Sequence, residues 1–430
     1  MKKALSVLLA VMMLVTLAAF VGCNKTSTPS TASSVESTPS VESTPSTEPT
    51  ESVESTPSVE SVESVVSETS SVASTASKEK SSAATSSKAS SETTEPKDTY
   101  ELALVTDLGT IDDKSFNQGA WEGLVKYANE KKISHKYYQP KEASNAAYLE
   151  AIGLAVKGGA KVVVTPGFLF EVPIYEAQTK YPDVKFVLLD GQPHTEDYKT
   201  YNTAKNVLCI LYAEEQAGFF AGYAAVKDGF TELGFQGGMS VPAVIRYGYG
   251  FLQGAELAAK EMSLAEGSIK VKYNYSGDFL ATPENQTRAA GWYTAGTQVI
   301  FACGGSVGNS VMAAAGAQKD KWVIGVDVDQ YAESATVISS AVKMLGESVY
   351  QALESYYAGT FEGGTTWTLD VTRKGVGLAM DHNKFLTFKA ADYTACFNKV
   401  VDGTYKINSK SDIKIADLGL KYVVVTEIVD

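Results

Sequence analysis

The feature that most constrains the fold of this chain is an alternation of short apolar runs and helical segments, which begins near Tyr100. Runs of strand length, such as Glu101–Thr106 and Lys185–Asp190, are separated by segments of helical periodicity. Between Trp121 and Ala128, apolar residues recur at i, i+3, i+4 and i+7, which places them on one face of a helix. Strands that alternate with helices indicate βαβ units and a parallel sheet.

This alternation occurs in two series, and the second begins at Leu233. Two series predict two doubly wound α/β lobes. Ligands of open α/β sheets bind beyond the carboxyl ends of the strands. Two lobes that face each other at those ends would therefore enclose a ligand cleft. The segments of the second series are the strands Leu233–Gly237, Ile269–Tyr275, Gln298–Ala302 and Trp322–Val326, and the helices Gly250–Met262, Pro283–Tyr293 and Val311–Gln318.

The N-terminal residues have a different character. Residues 1–22 combine two lysines, the apolar run Ala4–Val21 and a small residue before Cys23, as secretory signal peptides do. The end of this segment resembles a bacterial lipobox, which predicts a diacylglyceryl group on Cys23 and a stable lipid anchor. An ordinary signal peptide with a chance cysteine is the alternative.

Residues 24–98 consist mainly of Ser, Thr, Glu and Pro and contain neither an aromatic residue nor a glycine. Such a segment cannot bury enough apolar surface to offset the entropy of the chain, so we expect a disordered linker after the lipidated Cys23. A linker of this length would hold the folded part away from the membrane.

Composition excludes several classes of function. The formal net charge is −13, whereas nucleic-acid binding requires clustered Lys and Arg. None of the three histidines has the spacing of a zinc site, and no phosphate-binding glycine motif occurs, so we expect no cofactor. Cys209, Cys303 and Cys396 have no Cys-x-x-Cys spacing, and we expect buried, unpaired thiols rather than a disulfide or a reactive thiol.

Polar or glycine residues follow four of the predicted strands where each strand ends: Asp107, Asp190, Gly304 and Asp327. Each position alone is explained by helix capping or a turn. Because the ends of these four strands are expected to converge, together they predict a binding site.

The segment Ala103–Gly123 closely resembles the opening signature of the basic membrane protein family, the nucleoside-binding lipoproteins of ABC importers. Further blocks resemble this family in the same order along the chain: Gly237–Pro242, Gly250–Gly254, Tyr275–Phe279 and Val323–Gln330. The resemblance implies a type I periplasmic-binding-protein fold, in which three crossovers join the lobes. We expect one lobe at 99–215 and about 344–365, and the other at 216–343 and about 366–430.

The resemblance also implies a function: an extracytoplasmic binding protein, not an enzyme, that delivers a purine nucleoside to a membrane permease powered by a separate ATPase. A tethered monomer is the default expectation. The base would lie between Phe116 and Phe279, and Asp190 would accept hydrogen bonds from its edge. Asp327 and Lys343 would hold the ribose, and Asp107, Asn117 and Gly304 would complete the polar shell. The alternatives are core packing for the two phenylalanines and a solvated position for Lys343. The family pattern is not matched at Ala281–Thr282 or at Tyr331–Ala341.

Two other functions stay open. Gly304–Gly308 has the Gly-x-Ser-x-Gly pattern of a hydrolase nucleophile elbow, and Ser306, Asp327 and His382 follow in the order of a catalytic triad. No oxyanion motif precedes them. A protein that binds or senses a sugar or another small molecule would have the same fold, since fold does not determine the ligand.

Overall fold

The computed structural model describes residues 99–429. The predicted signal peptide (1–22) and the predicted linker with its lipidated Cys23 (23–98) lie outside the described residues. The strands are β1 (Leu102–Val105), β2 (His135–Tyr138), β3 (Val162–Pro166), β4 (Lys185–Leu189), β5 (Val207–Tyr212), β6 (Glu232–Gly237), β7 (Ile269–Tyr275), β8 (Val299–Cys303), β9 (Trp322–Asp327), β10 (Val337–Lys343), β11 (Thr365–Leu369), β12 (Val376–Leu378) and β13 (Val423–Glu427). The helices are α1 (Phe116–Lys131), α2 (Asn145–Lys157), α3 (Glu171–Lys180), α4 (Glu214–Lys227), α5 (Pro242–Glu261), α6 (Pro283–Thr294), α7 (Val307–Gly316), α8 (Leu345–Tyr357) and α9 (Ala390–Val401).

The strands form two sheets, one in each lobe. The six-stranded sheet has the order β11-β5-β4-β3-β1-β2 and is parallel throughout. The seven-stranded sheet has the order β12-β10-β9-β8-β6-β7-β13, and only the β10–β12 pair is antiparallel. The central strands β3, β4 and β8 are apolar along nearly their whole length because helices cover both faces of a parallel sheet. The predicted two-lobed α/β fold is confirmed.

Three crossovers connect the sheets, and they lie side by side. The chain passes from β5 to α4, from β10 to α8 and from β11 to β12. The N–H of Ala213 in the first crossover donates to the carbonyl of Leu369 in the third (3.1 Å), and the N–H of Met344 in the second donates to Gly375 (2.9 Å). These backbone bonds hold the three crossovers together as one narrow connection.

Two boundaries differ from the sequence prediction. Strand β11 pairs with β5 in the first sheet, so the predicted change of lobe near residue 366 is placed too early in the chain. Helix α5 begins at Pro242, two turns before the predicted start at Gly250. Pro242 occupies the first turn, where proline is favoured, but Gly248 and Gly250 obscure the helical pattern of this region.

Helices α4 and α5 pack unusually closely, and glycines make the contact. Gly218 and Gly222 of α4 face Gly250 and Gly254 of α5. A Cβ at any of these positions would lie within about 2.1 Å of a carbonyl oxygen of the opposite helix, and the shortest distance is 1.9 Å, from Gly222 to Phe251. Substitution by any other residue would therefore force the two backbones apart.

Three further observations apply to residues 99–429: the state of the cysteines, the length of the helices and the grouping of possible metal ligands. Cys209, Cys303 and Cys396 are buried and free, as predicted. No helix between residues 99 and 429 is long and apolar enough to cross a membrane. Within the same range, no group of three or more His, Cys, Asp or Glu side chains is placed to hold a metal ion.

Candidate functional site

The carboxyl ends of the strands of both lobes meet at a cavity of about 720 Å³, counting the part that opens to solvent. All eight residues that the sequence predicts as ligand contacts line this cavity: Asp107, Phe116, Asn117, Asp190, Phe279, Gly304, Asp327 and Lys343. The structure therefore brings together residues that lie more than two hundred positions apart in the chain.

The two phenylalanines come from opposite lobes. Phe116 is the first residue of α1, and Phe279 lies between β7 and α6; both are half-buried. The ring of Phe279 lies over Gly238 and Gly304, where the ends of β6 and β8 come close together. A Cβ on Gly238 would lie 2.3 Å from this ring. Glycine at the end of β6 therefore makes room for the ring at the wall of the cavity.

Asp107 and Asp113 fix the beginning of α1. Asp113 caps the helix, since its carboxylate accepts from the backbone N–H groups of Ser115 (2.9 Å), Asn117 (3.0 Å) and Gln118 (3.1 Å). The side-chain amide of Asn117 donates to both Asp107 and Asp113, at 2.9 Å each. Burial raises the pKa of Asp107 to about 6, although its hydrogen bonds favour the charged form.

The amide group of Asn117 is thus committed to two carboxylates, which fixes its orientation. Its oxygen Oδ1 is buried, and no described residue donates a hydrogen bond to it. A buried acceptor without a partner costs about 1–3 kcal/mol.

Lys343 is the last residue of β10, and it is buried rather than solvated. Its ammonium contacts Oδ2 of Asp190 and lies 3.1 Å from Oε1 of Glu214. Burial disfavours the charged form of Lys343, but the two carboxylates outweigh this effect and raise its pKa above the ordinary value. Lys343 is therefore an ammonium ion in the wall of the cavity.

Asp190 follows β4 in a left-handed conformation, with φ of 58°. Its backbone N–H donates to the carbonyl of Ile210 (2.9 Å), which fixes its place at the strand end. Oδ2 pairs with Lys343, while Oδ1 is buried and accepts no hydrogen bond from the described residues. Burial raises the pKa of Asp190 to about 7, in spite of the nearby ammonium of Lys343.

Asp327 ends β9, also in a left-handed conformation (φ 68°), and it links the two lobes. The hydroxyl of Ser115, in the first lobe, donates to Oδ2 of Asp327 (2.5 Å). A second link is formed by the side-chain amide of Gln330, which donates to the carbonyl of Lys114 (2.6 Å). These bonds hold the second lobe against the beginning of α1.

The arrangement does not support a serine hydrolase. Ser306 lines the cavity, but His382 is half exposed, hydrogen-bonded to Asp329 (3.1 Å) and stacked on Tyr331, with ring centroids 3.6 Å apart. The carboxylate of Asp327 is engaged by Ser115 and not by a histidine. Within residues 99–429, Ser306, Asp327 and His382 therefore do not form a hydrogen-bonded triad.

Sequence reasoning missed several residues of the cavity wall, among them Phe168, Val241 and Tyr247. Phe168 lies two residues after the end of β3, so a search of all strand ends could have found it. Val241 and Tyr247 reach the cavity from the beginning of α5, whose start was predicted two turns too late. Glu214 lies behind the cavity wall, and nothing in the local sequence distinguishes it from a helix-capping acid.

Two α/β lobes joined by three crossovers, with a cavity between the carboxyl ends of their strands, define a type I periplasmic-binding-protein fold. The chain has this fold in common with the crystal structure of ABC transporter system solute-binding proteins from Aeropyrum pernix K1, with a TM-score of 0.61 and 22% identity. The comparison covers 73% of this chain and 94% of that one.

Residues 100–411 match the Bmp family model, described as ABC transporter substrate-binding protein PnrA-like, and the chain belongs to this family. It is 30% identical to the ABC transporter nucleoside-binding protein BmpA of Lactococcus lactis subsp. cremoris, over 73% of this chain and 90% of the relative. It is 28% identical to the CD4+ T-cell-stimulating antigen of Listeria monocytogenes serovar 1/2a, over 72% of this chain and 88% of the relative. The predicted family is confirmed.

Proposed function

We propose that this substrate-binding protein captures a purine nucleoside between its lobes and delivers it to a membrane permease driven by a separate ATPase. We further propose that it acts as an extracytoplasmic monomer, attached to the membrane only through lipid on Cys23. The name of the Lactococcus relative, a nucleoside-binding protein, supports the ligand class. Family membership supports transport rather than catalysis.

One observation carries the proposal of a nucleoside. Aromatic rings from opposite lobes, Phe116 and Phe279, line the same cavity as two buried oxygens without partners, on Asn117 and Asp190. A flat heterocycle between two rings gains apolar burial and stacking, and its N–H groups supply the donors that these oxygens need.

The remaining polar residues fit the sugar of such a ligand. Asp327 offers a carboxylate, and Lys343 has three N–H donors. One donates to Oδ2 of Asp190, and the ammonium lies 3.1 Å from Oε1 of Glu214. An N–H of Lys343 that does not bind Asp190 can donate to a ribose hydroxyl while Asp327 accepts from another. Asp107 and Gly304 lie on the same wall and complete the proposed polar shell.

Calorimetric titration of the full chain with adenosine, guanosine, inosine, cytidine and free ribose tests the proposal. We expect a purine nucleoside to bind at about −8 kcal/mol or tighter, which corresponds to micromolar affinity, and ribose to bind much more weakly. Tight binding of a sugar without a base would instead identify the protein as a sugar-binding protein.

Phe116→Ala should weaken purine binding by about 1–3 kcal/mol, the cost of losing one stacked ring. The melting temperature of the free protein should barely change, since the ring is half-buried at a cavity wall. Tyr137→Ala is a matched control, because Tyr137 is 41% exposed and does not line the cavity. If Phe116→Ala destabilises the fold and leaves affinity unchanged, the ring belongs to the core and its assignment is wrong.

A further inference from the structure

Four charged side chains form a continuous chain from helix α5 to the cavity. Nε of Arg246 lies 2.6 Å from Oε2 of Glu214, and Oε1 of Glu214 lies 3.1 Å from Nζ of Lys343. Lys343 in turn contacts Asp190. Only Lys343 and Asp190 line the cavity, so Glu214 and Arg246 can affect a ligand only through them.

Glu214 occupies a special place in the fold. It is the first residue of α4, directly after the crossover from β5, and its side chain is fully buried. Lys343 is the last residue of β10, directly before the crossover to α8. Their ion pair therefore connects two of the three crossovers on the side that faces the ligand cavity.

We propose that Glu214 is a positioning residue of the binding site: it holds Lys343 so that the ammonium engages one oxygen of Asp190 and leaves Oδ1 free for the ligand. This inference rests on the proposed function, because it assigns Oδ1 of Asp190 to a donor of the bound base. Without Glu214, the ammonium would have only carboxylates of the cavity wall as partners.

The surroundings of Lys343 support this role. Its ammonium lies 5.0 Å from the ring centroid of Phe116, 5.1 Å from that of Tyr212 and 5.4 Å from that of Tyr247. Three rings thus surround a cation whose charged partners are carboxylates. Loss of Glu214 would leave Asp190 and Asp327 as the nearest anions, and the ammonium would shift toward the oxygens that the ligand needs.

The charge of Glu214 also acts on Asp190. The charged groups around Asp190 are Lys343 of β10, Glu214 of α4, Asp327 of β9 and, behind Glu214, Arg246 of α5. Glu214 and Asp327 raise the pKa of Asp190, and Lys343 lowers it. Since a carboxylate binds N–H donors best when ionised, affinity for a purine should rise with pH, with a midpoint near the pKa of Asp190.

The test is titration of the full chain and of Glu214→Gln with guanosine and adenosine between pH 5 and 8. At pH 8, where Asp190 is ionised in both proteins, the variant should bind about tenfold more weakly or worse. The midpoint of the pH profile should move down, because a neighbouring negative charge that raises the pKa of Asp190 has been removed. A residue that only stabilised the fold would not move this midpoint.

Glu215→Gln is the matched control. Glu215 is also buried, in the same turn of α4, but it contacts neither Lys343 nor the cavity, so affinity and midpoint should stay as in the wild type. Arg246→Gln is the second variant, for the case that Glu214→Gln does not fold. Loss of this positive charge should weaken binding and move the midpoint up, opposite to Glu214→Gln.

Equal affinities and equal midpoints for the wild type, Glu214→Gln and Arg246→Gln would overturn the positioning role. If the wild type binds neither nucleoside, the proposed function fails instead. The positioning role is then decided by thermal unfolding of Glu214→Gln, Lys343→Met and the double variant. Additive shifts in melting temperature would refute it, and non-additive shifts would support it.

Discussion

Gly222→Ala should lower the free energy of unfolding by about 3 kcal/mol or more, the upper range for overpacking in a protein interior. The new Cβ would lie 1.9 Å from the carbonyl oxygen of Phe251 and 2.8 Å from its carbonyl carbon. The obstacle is backbone, so no side-chain rotation can relieve it. Helices α4 and α5 would have to separate along their whole contact. For a folded part of this size, about 3 kcal/mol corresponds to a loss of roughly 4 °C in melting temperature.

Gly291→Ala is the matched control for this substitution. Gly291 is an exposed position of α6, where a Cβ would meet nothing within 4 Å. Alanine there should stabilise the protein by about 0.5–1 kcal/mol, because glycine loses more backbone entropy on folding. Differential scanning calorimetry of both variants measures the two shifts. Equal shifts for Gly222→Ala and Gly291→Ala would show that the glycine contact between α4 and α5 is not close.

Lys343→Met should be the most damaging substitution at the cavity. It removes the cation between Asp190 and Glu214 and leaves both carboxylates buried, with Asp327 nearby and Arg246 as the remaining counter-ion. Removing one partner of a buried ion pair costs about 3–5 kcal/mol. We also expect purine binding to be abolished, since Lys343 is a proposed ligand contact.

The destabilisation should depend on pH. Without Lys343, the pKa of Asp190 in the folded protein rises further above its unfolded value, and Glu214 loses one of the two cations that lower its pKa. At Asp190 the folded variant then keeps a proton that the unfolded chain has lost, so its stability falls as pH rises from about 4 toward the raised pKa of Asp190. The difference in melting temperature between the wild type and the variant should therefore be larger at pH 8 than at pH 5.

Lys199→Met is the control for the loss of one positive charge. Lys199 pairs with Asp197 at the surface, and its side chain is 80% exposed. Exposed pairs contribute little, so the melting temperature of this variant should equal that of the wild type at both pH values. A loss for Lys343→Met that does not change with pH would contradict the explanation by buried carboxylates.

Much of the fold is predictable because buried parallel strands have a strong local signal. The apolar runs at β1, β4 and β9 are each followed by a polar residue, and this pattern locates both the sheets and the site. Strand β10 is different, since Ser339 and Ser340 lie in its buried interior. Their hydroxyls are satisfied by distant partners: that of Ser339 donates to Ala379 (2.7 Å), and that of Ser340 accepts from Gln330 (3.0 Å). The residues that directly flank Ser339 and Ser340 in the sequence do not include these partners.

Some residues of the candidate site are likewise predictable from the local sequence, and others are not. Asp107, Asp190 and Asp327 are predictable from the ends of strands. The ion pair of Glu214 with Lys343 joins residues that are far apart in the chain, and it exists only because two crossovers lie side by side. An acidic residue at the first position of a helix is a common dipole-favoured choice, so its identity alone does not indicate a role in the site.

A crystal structure of the protein with bound guanosine is the most direct test of the central claim. We expect the purine ring between Phe116 and Phe279, with an N–H of its edge within hydrogen-bond distance of Oδ1 of Asp190. Guanosine bound outside this cavity, or inside it without contact to either phenylalanine, would contradict the account.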